Sequence, residues 1–161
     1  MKKTILIPTD FTMESLNLFK HVMQTTIVNV HVIFLHCIAP SDSILDLLFT
    51  SNDDIAESLV TRDFKEACSI IKNRYGSHSS TEVVTIFKGR TQSAFMNLLD
   101  ANQVDEIVIP KDYHFVKAHP RSVDPMSFLK DVTRSVVEVS WHGSKSVPEK
   151  NQLAELFNIA S

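Results

Sequence analysis

Thr4-Ile5-Leu6-Ile7-Pro8-Thr9-Asp10, followed by apolar residues at Leu16, Phe19, Val22 and Met23, holds the change of rhythm that decides the fold. Consecutive apolar residues that stop at a proline read as a short strand, whereas apolar positions three or four apart read as one stripe of a helix. Thr12 is placed to cap that helix, with Glu14 in its first turn. The pattern recurs outward along the chain. Val30 to Ile38 is almost wholly apolar, as a central parallel strand covered on both faces must be, and Pro40 closes it. Glu82 to Phe87 is a third strand ended by Gly89, Glu106 to Ile109 a fourth that stops at Pro110, and Val136 to Trp141 a fifth. Between them, Ile55, Leu59, Phe64, Ala67, Cys68, Ile71 and Tyr75 predict one long helix from Asp53 or Asp54 to Gly76. Thr91 opens a helix carrying Ala94, Phe95, Leu98 and Leu99, and Asp124-Pro125 opens another carrying Met126, Leu129 and Val132. Residues 41–52 form a polar connection around Ile44 to Phe49, with room for a short helical turn over a pocket, and 111–123 is the longest irregular stretch.

Strand and helix therefore alternate from end to end, and right-handed crossovers turn that alternation into a doubly wound sheet. The expected fold is α/β: a five-stranded parallel sheet in the order 3-2-1-4-5, with helices on both faces. In such sheets the functional crevice lies at the C-terminal strand ends, here after Pro8, Ile38, Phe87 and Ile109. Residues 1–141 read as one domain. Residues 142–161 read as an extension in which Leu153, Leu156 and Phe157 recur at helical spacing after Pro148.

The 161 residues are 43% hydrophobic and 22% charged with a net charge of -3, the composition of an ordinary globular domain without general attraction for nucleic acid or an anionic membrane. The apolar run at the N-terminus is too short for a signal-peptide core or a membrane span, so a cytoplasmic location is expected. Cys37 and Cys68 stand far apart on apolar segments and read as core thiols, and the seven histidines show no metal-ligand spacing.

The run Ile5-Leu6-Ile7-Pro8-Thr9-Asp10-Phe11-Thr12, with Leu35-His36-Cys37, Phe87-Lys88-Gly89-Arg90 and Asp105 to Ile109 in the same order, resembles the universal stress protein family over roughly residues 3–140. That resemblance implies an adenine nucleotide alpha hydrolase-like fold and, in nucleotide-binding members, a Gly-x2-Gly-x9-Gly-Ser/Thr loop after the fourth strand. Glycine suits such a loop because backbone N–H groups must come close to phosphate oxygens. Pro110 and Tyr113 occupy the first two glycine positions, the third falls near Arg121-Ser122-Val123, and the chain's three glycines, Gly76, Gly89 and Gly143, all lie elsewhere. The ligand-binding set that the resemblance implies is Thr9, Asp10, Cys37, Gly89, Lys111, Arg121 and Ser122, with Asp10 toward ribose or adenine and Cys37 in the adenine wall. Read from the residues alone, Asp10 is also a turn carboxylate satisfied by backbone N–H groups, Thr9 a turn hydroxyl, and His36 a buried strand-end histidine bonded to its neighbours.

Lys111, His114, Lys117, His119 and Arg121 put five basic groups into one loop, which suits either a phosphate-bearing ligand or a solvated surface. The expected function is a stress-response regulatory or binding module without a glycine-loop ATP site and with no resident cofactor. The alternative is a protein that binds ATP, another nucleotide or a small anionic ligand through residues 111–121, with slow nucleotide hydrolysis as its chemistry. Homodimerisation is expected through strand 135–141, whose Val137, Val139 and Trp141 share one face, either as an interface or, at Trp141, as a cap on the chain's own core. A further protein partner fits the regulatory reading; nucleic acid and membrane do not.

Overall fold

The computed structural model describes residues 2–76 and 79–140. Strands β1 (Lys2–Pro8), β2 (Asn29–Ile38), β3 (Ser80–Phe87), β4 (Glu106–Lys111) and β6 (Ser135–Ser140) form a parallel sheet in the order β3-β2-β1-β4-β6. A two-residue strand, β5 (Ser122–Val123), adds to β2 in the antiparallel sense. The expected five-strand order is therefore present, with its last member numbered β6. Helices α1 (Leu16–Thr25), α2 (Ile44–Phe49), α3 (Asn52–Leu59), α4 (Arg62–Tyr75), α5 (Gln92–Ala101) and α6 (Met126–Leu129) complete the domain.

Alternation along the strands sorts the core into two layers. Ile5, Ile7, Val30, Val32 and Phe34 face α1 and α4, while Leu6, Ile33, Leu35, Ile107 and Ile109 face α5 and α6. Aromatic rings key each layer: Phe34 meets Phe19 at 5.3 Å and Phe64 at 5.5 Å edge-on, and across the sheet Phe87 meets Phe95 and Phe128 at 5.3 Å each. Each fully buried ring of this kind contributes about 1.5–3 kcal/mol by leaving water.

Four local expectations are corrected. The predicted single helix from residue 53 to 76 is two, because Ser51 and Asp54 form a capping box on α3 while the Thr61 hydroxyl accepts from the Phe64 N–H at 3.1 Å and starts α4 afresh. Thr12 stands ahead of α1, which begins at Leu16: its hydroxyl accepts from the Ser15 N–H at 3.3 Å, over the turn that leads into the helix, and donates back to Asp10 at 2.6 Å. Pro110 does not end β4, which runs to Lys111 with Pro110 opposite Val139. The helix after Asp124-Pro125 is a single turn, and the connection that follows leads directly into β6. Trp141 and the extension 142–161 lie outside the described residues. No helix among the described residues is long and apolar enough to cross a membrane.

The two-helix arrangement makes Thr61 a structural residue in its own right. Thr61→Ala is expected to lower unfolding free energy by about 1 kcal/mol, the usual cost of a lost N-cap, read as a shift in urea midpoint at constant slope; no shift would mean that α3 and α4 join without the cap.

Candidate functional site

The end of β1 carries a turn bonded by both backbone and side-chain groups. Thr9 still follows β2, its N–H donating to the Leu35 carbonyl at 2.8 Å, and Phe11 then reverses the chain with φ at 61°. A bulky residue in this left-handed region costs on the order of 1–3 kcal/mol and persists only where its surroundings hold it. Here the Phe11 N–H donates to the Thr9 hydroxyl at 3.0 Å, and the ring packs 5.1 Å from His36 and 5.6 Å from Phe64. Thr9 is thus a turn hydroxyl, also bonded to the Ser15 hydroxyl at 2.8 Å.

Asp10 is 3% exposed, and both of its carboxylate oxygens are occupied. Oδ1 accepts from the Thr12 N–H at 3.1 Å and the Thr12 hydroxyl at 2.6 Å. Oδ2 accepts from the Tyr113 hydroxyl at 2.5 Å and the Val116 N–H at 2.9 Å. Two of the four donors come from the loop after β4, about a hundred residues away, so Tyr113 and Val116 close that loop on the aspartate itself. Burial, reinforced by its bond to Asp10, raises the Tyr113 phenol above its ordinary value and keeps it a proton donor. The cavity between Pro8, Ser15, Pro110 and Tyr113 has no room for a water molecule.

His36 makes the second tie. Its Nδ1 lies 2.8 Å from the Thr9 carbonyl and its Nε2 2.7 Å from the Ser122 hydroxyl. A carbonyl only accepts, so in the neutral ring Nδ1 carries the proton and Nε2 accepts from Ser122. The Ser122 oxygen in turn accepts from the His119 N–H at 3.0 Å. Backbone pairing continues the clasp: Ser122 lies opposite Ile38, Val123 opposite Cys37, and the Ala39 N–H donates to the Arg121 carbonyl at 2.8 Å. A serine hydroxyl on a histidine ring has the distances of a nucleophile and its base. Ser122 is 9% exposed, however, and holds two partners, so this pair serves as a fastening of loop to sheet.

The seven expected ligand residues therefore fall into separate groups. Thr9, Asp10 and Ser122 converge around His36, and Asp10 and His36 bond the loop after β4. Cys37 points into the core layer with Leu35 and Phe87; burial and the nearby Asp124 charge push its thiol up to about 12. Gly89 is required by packing, since a Cβ there would stand 2.3 Å from the Phe87 ring. Lys111 is exposed at the end of β4, and among the described residues it has no ion pair. The Arg121 N–H donates to His119 Nδ1 at 3.1 Å, while its Nη1 is buried with no hydrogen-bond partner among the described residues. Residues 41–52 do hold a short helix, α2, which buries none of its side chains. Tyr113 and Val116 as donors to Asp10, and Ser122 as the partner of His36, are contacts that sequence reading did not anticipate. No group of three or more acidic, histidine or cysteine side chains among the described residues is arranged to hold a metal ion.

The clasp makes stability depend on pH with a defined sign. Burial lowers the His36 pKa below its ordinary 6.5, an effect that the Thr9 carbonyl and the Asp10 charge partly offset and His119 adds to. The unfolded chain then binds more protons than the folded one between the two values, so stability is full above pH 6.5 and falls as pH drops through the folded value. His31 and His119, also lowered chiefly by burial, act in the same direction. Urea midpoints between mildly acidic and neutral pH are expected to fall toward acid in the wild type and to fall less steeply in His36→Asn, whose side chain keeps a donor for the Thr9 carbonyl; equal slopes would remove His36 from the clasp.

No protein-family model and no curated protein sequence matches the chain. Solved structures do resemble it. A universal stress protein from Lactobacillus plantarum is similar with a TM-score of 0.56 at 11% identity, over 85% of this chain and 97% of that one. A universal stress protein family member from Burkholderia pseudomallei is similar at 0.51 and 10%, over 85% and 95%, and a universal stress protein in complex with cAMP at 0.50 and 16%, over 85% and 96%. The structural neighbours are thus universal stress proteins at low identity, and the fold of this chain is universal stress protein-like: α/β, with the parallel order β3-β2-β1-β4-β6 between two layers of helices.

Proposed function

We propose that this protein is a universal stress protein-like regulatory module, dimeric through β6, whose crevice at the C-terminal strand ends is filled by its own loop instead of by ATP. One observation carries the reading: the Asp10 carboxylate, at the position that faces ribose or adenine in nucleotide-binding relatives, is saturated by Thr12, Tyr113 and Val116. A nucleotide seated there has to displace a charge-assisted hydrogen bond, which contributes about 1.5–3 kcal/mol, and to do so without a glycine cradle for its phosphates. Calorimetric titration with ATP, AMP and cyclic AMP is expected to give no binding heat at millimolar ligand. A bound structure with ATP phosphates on backbone N–H groups of residues 110–123 would overturn it.

Dimerisation is supported by the sheet edge. Among the described residues β6 pairs with β4 alone, so none of them pairs with its other edge, and Val136 on this strand is 37% exposed. An unpaired apolar edge strand tends to take a second strand. Light scattering at tens of micromolar is expected to return twice the chain mass, since a dimer of about micromolar affinity or better is fully formed at that concentration; a monodisperse monomer rejects the interface.

A second reading has its own support in Arg121. Its buried Nη1 without an acceptor, in a loop with exposed Lys111, His114 and Lys117, suits a small phosphorylated ligand. In the same titrations, binding heat that disappears in Arg121→Gln and weakens with salt would favour it.

A further inference from the structure

His119-Pro120-Arg121-Ser122 bring the loop after β4 back to the sheet. Pro120 sets the second position of a tight turn, which the Ser122 N–H closes on the His119 carbonyl at 2.9 Å. Each of two imidazoles at this turn uses a nitrogen lone pair. The Arg121 N–H can only donate, so at 3.1 Å from His119 Nδ1 it needs that nitrogen unprotonated, which puts the proton of the neutral ring on Nε2. His36 is the reverse tautomer, with its proton on Nδ1 toward the Thr9 carbonyl and Nε2 accepting from Ser122 at 2.7 Å. Ser122 joins the two residues, because its oxygen accepts the His119 N–H at 3.0 Å while its proton goes to His36. The result is a chain of bonds from Arg121 through His119, Ser122 and His36 to Thr9, in which each ring has to keep one lone pair.

An imidazolium has two donors and no acceptor. On His119 the added proton stands against the Arg121 N–H, donor to donor, and its charge adds to that of the Arg121 guanidinium. On His36 it turns Nε2 into a donor. The Ser122 oxygen then receives a second N–H, and its own proton loses its acceptor at a residue only 9% exposed. The charged groups that face the pair come from three places. Asp10, on the turn after β1, favours a charged His36; Arg121, on the loop itself, opposes a charged His119; Asp124, just beyond β5, faces Cys37 at the next position of β2. Burial outweighs these influences and lowers both histidine pKa values below the ordinary 6.5. Each proton is thus held more tightly once the turn has left the sheet, so the fastening is at full strength above pH 6.5 and weakens as pH falls through the lowered values.

We infer that His119, Ser122 and His36 form a proton-operated latch, which holds the turn 119–122 and β5 on β2 at neutral pH and releases them in mild acid while the sheet stays folded. Release is local because the remaining fastenings do not use these rings. Tyr113 and Val116 tie the other end of the loop to Asp10, and β2 keeps its long pairings with β1 and β3. What the released turn uncovers is the end of β2 at Cys37 and Ile38, with the backbone groups that β5 had paired. Uptake of two protons makes the change steep: between the latched and released pKa values the released fraction grows about tenfold per pH unit for one proton and about a hundredfold for two. The latch is a property of the loop's own fastening and stands whatever the crevice binds.

Hydrogen exchange of the full chain from about pH 8 to about pH 5, the range in which histidine changes charge, tests it once the intrinsic pH dependence of amide exchange is divided out. The Ser122 N–H, bonded within the turn, and the Ala39 N–H, bonded to the Arg121 carbonyl, report the latch. Their protection is expected to fall by more than about tenfold per pH unit in the wild type, while the amides that pair β1 with β2 keep theirs. His119→Asn keeps an acceptor for the Arg121 N–H and does not titrate, and is expected to cut the slope to about tenfold per unit. In the wild type at neutral pH, long-range NMR spectra of the imidazole rings are expected to place the proton on Nδ1 in His36 and on Nε2 in His119. Opposite tautomers, protection that does not change with pH, an unchanged slope in His119→Asn, or loss of protection across the whole sheet at the same pH would each overturn the latch.

Discussion

The carboxylate of Asp10 organises the functional end of this molecule. A charged group at 3% exposure is strongly unfavourable unless its oxygens are bonded, and Asp10 has four donors. Two are local, from Thr12, and shape the turn that follows β1. The other two, from Tyr113 and Val116, cannot be supplied unless the loop after β4 folds across the strand ends. Burial of the aspartate and closure of the loop therefore require each other, and the left-handed Phe11 is held in the same turn by its N–H bond to Thr9 and its packing on His36 and Phe64.

His36 repeats that logic one strand over. It reads the Thr9 carbonyl with one nitrogen and the Ser122 hydroxyl with the other, joining the β1 turn to the far end of the same loop. The short antiparallel pairing of β5 with β2 then gives the loop the backbone partners that an exposed irregular stretch would otherwise take from water. The result is a universal stress protein-like sheet across whose strand ends residues 113–123 are fastened.

Much of the scaffold was legible in the sequence because it follows from short-range rules. Five apolar runs separated by helical stripes, with Pro40 and Gly76 as stops and Thr91 as a cap, gave the element order, and handedness of crossover then gave the sheet order. The errors were also local. Thr61 is a good N-cap inside what reads as a continuous stripe, and periodicity does not report a break that preserves the apolar face. That no glycine lies between residues 110 and 123 could be read directly.

What the sequence by itself determined, then, is the α/β order and the two-sided core, both of which rest on residue spacing and backbone propensity. What only the tertiary structure decided is the use made of the loop after β4. Tyr113 reaches Asp10 across 103 residues and Ser122 reaches His36 across 86, and no spacing rule connects positions so far apart in the chain. The same holds for the packing of Cys37 beside Leu35 and of Gly89 against the Phe87 ring, neighbours that residue type alone does not name. Composition and pattern fix which groups can bond; the fold chooses their partners, because a buried polar group bonds whatever donor the packed chain brings within about 3 Å.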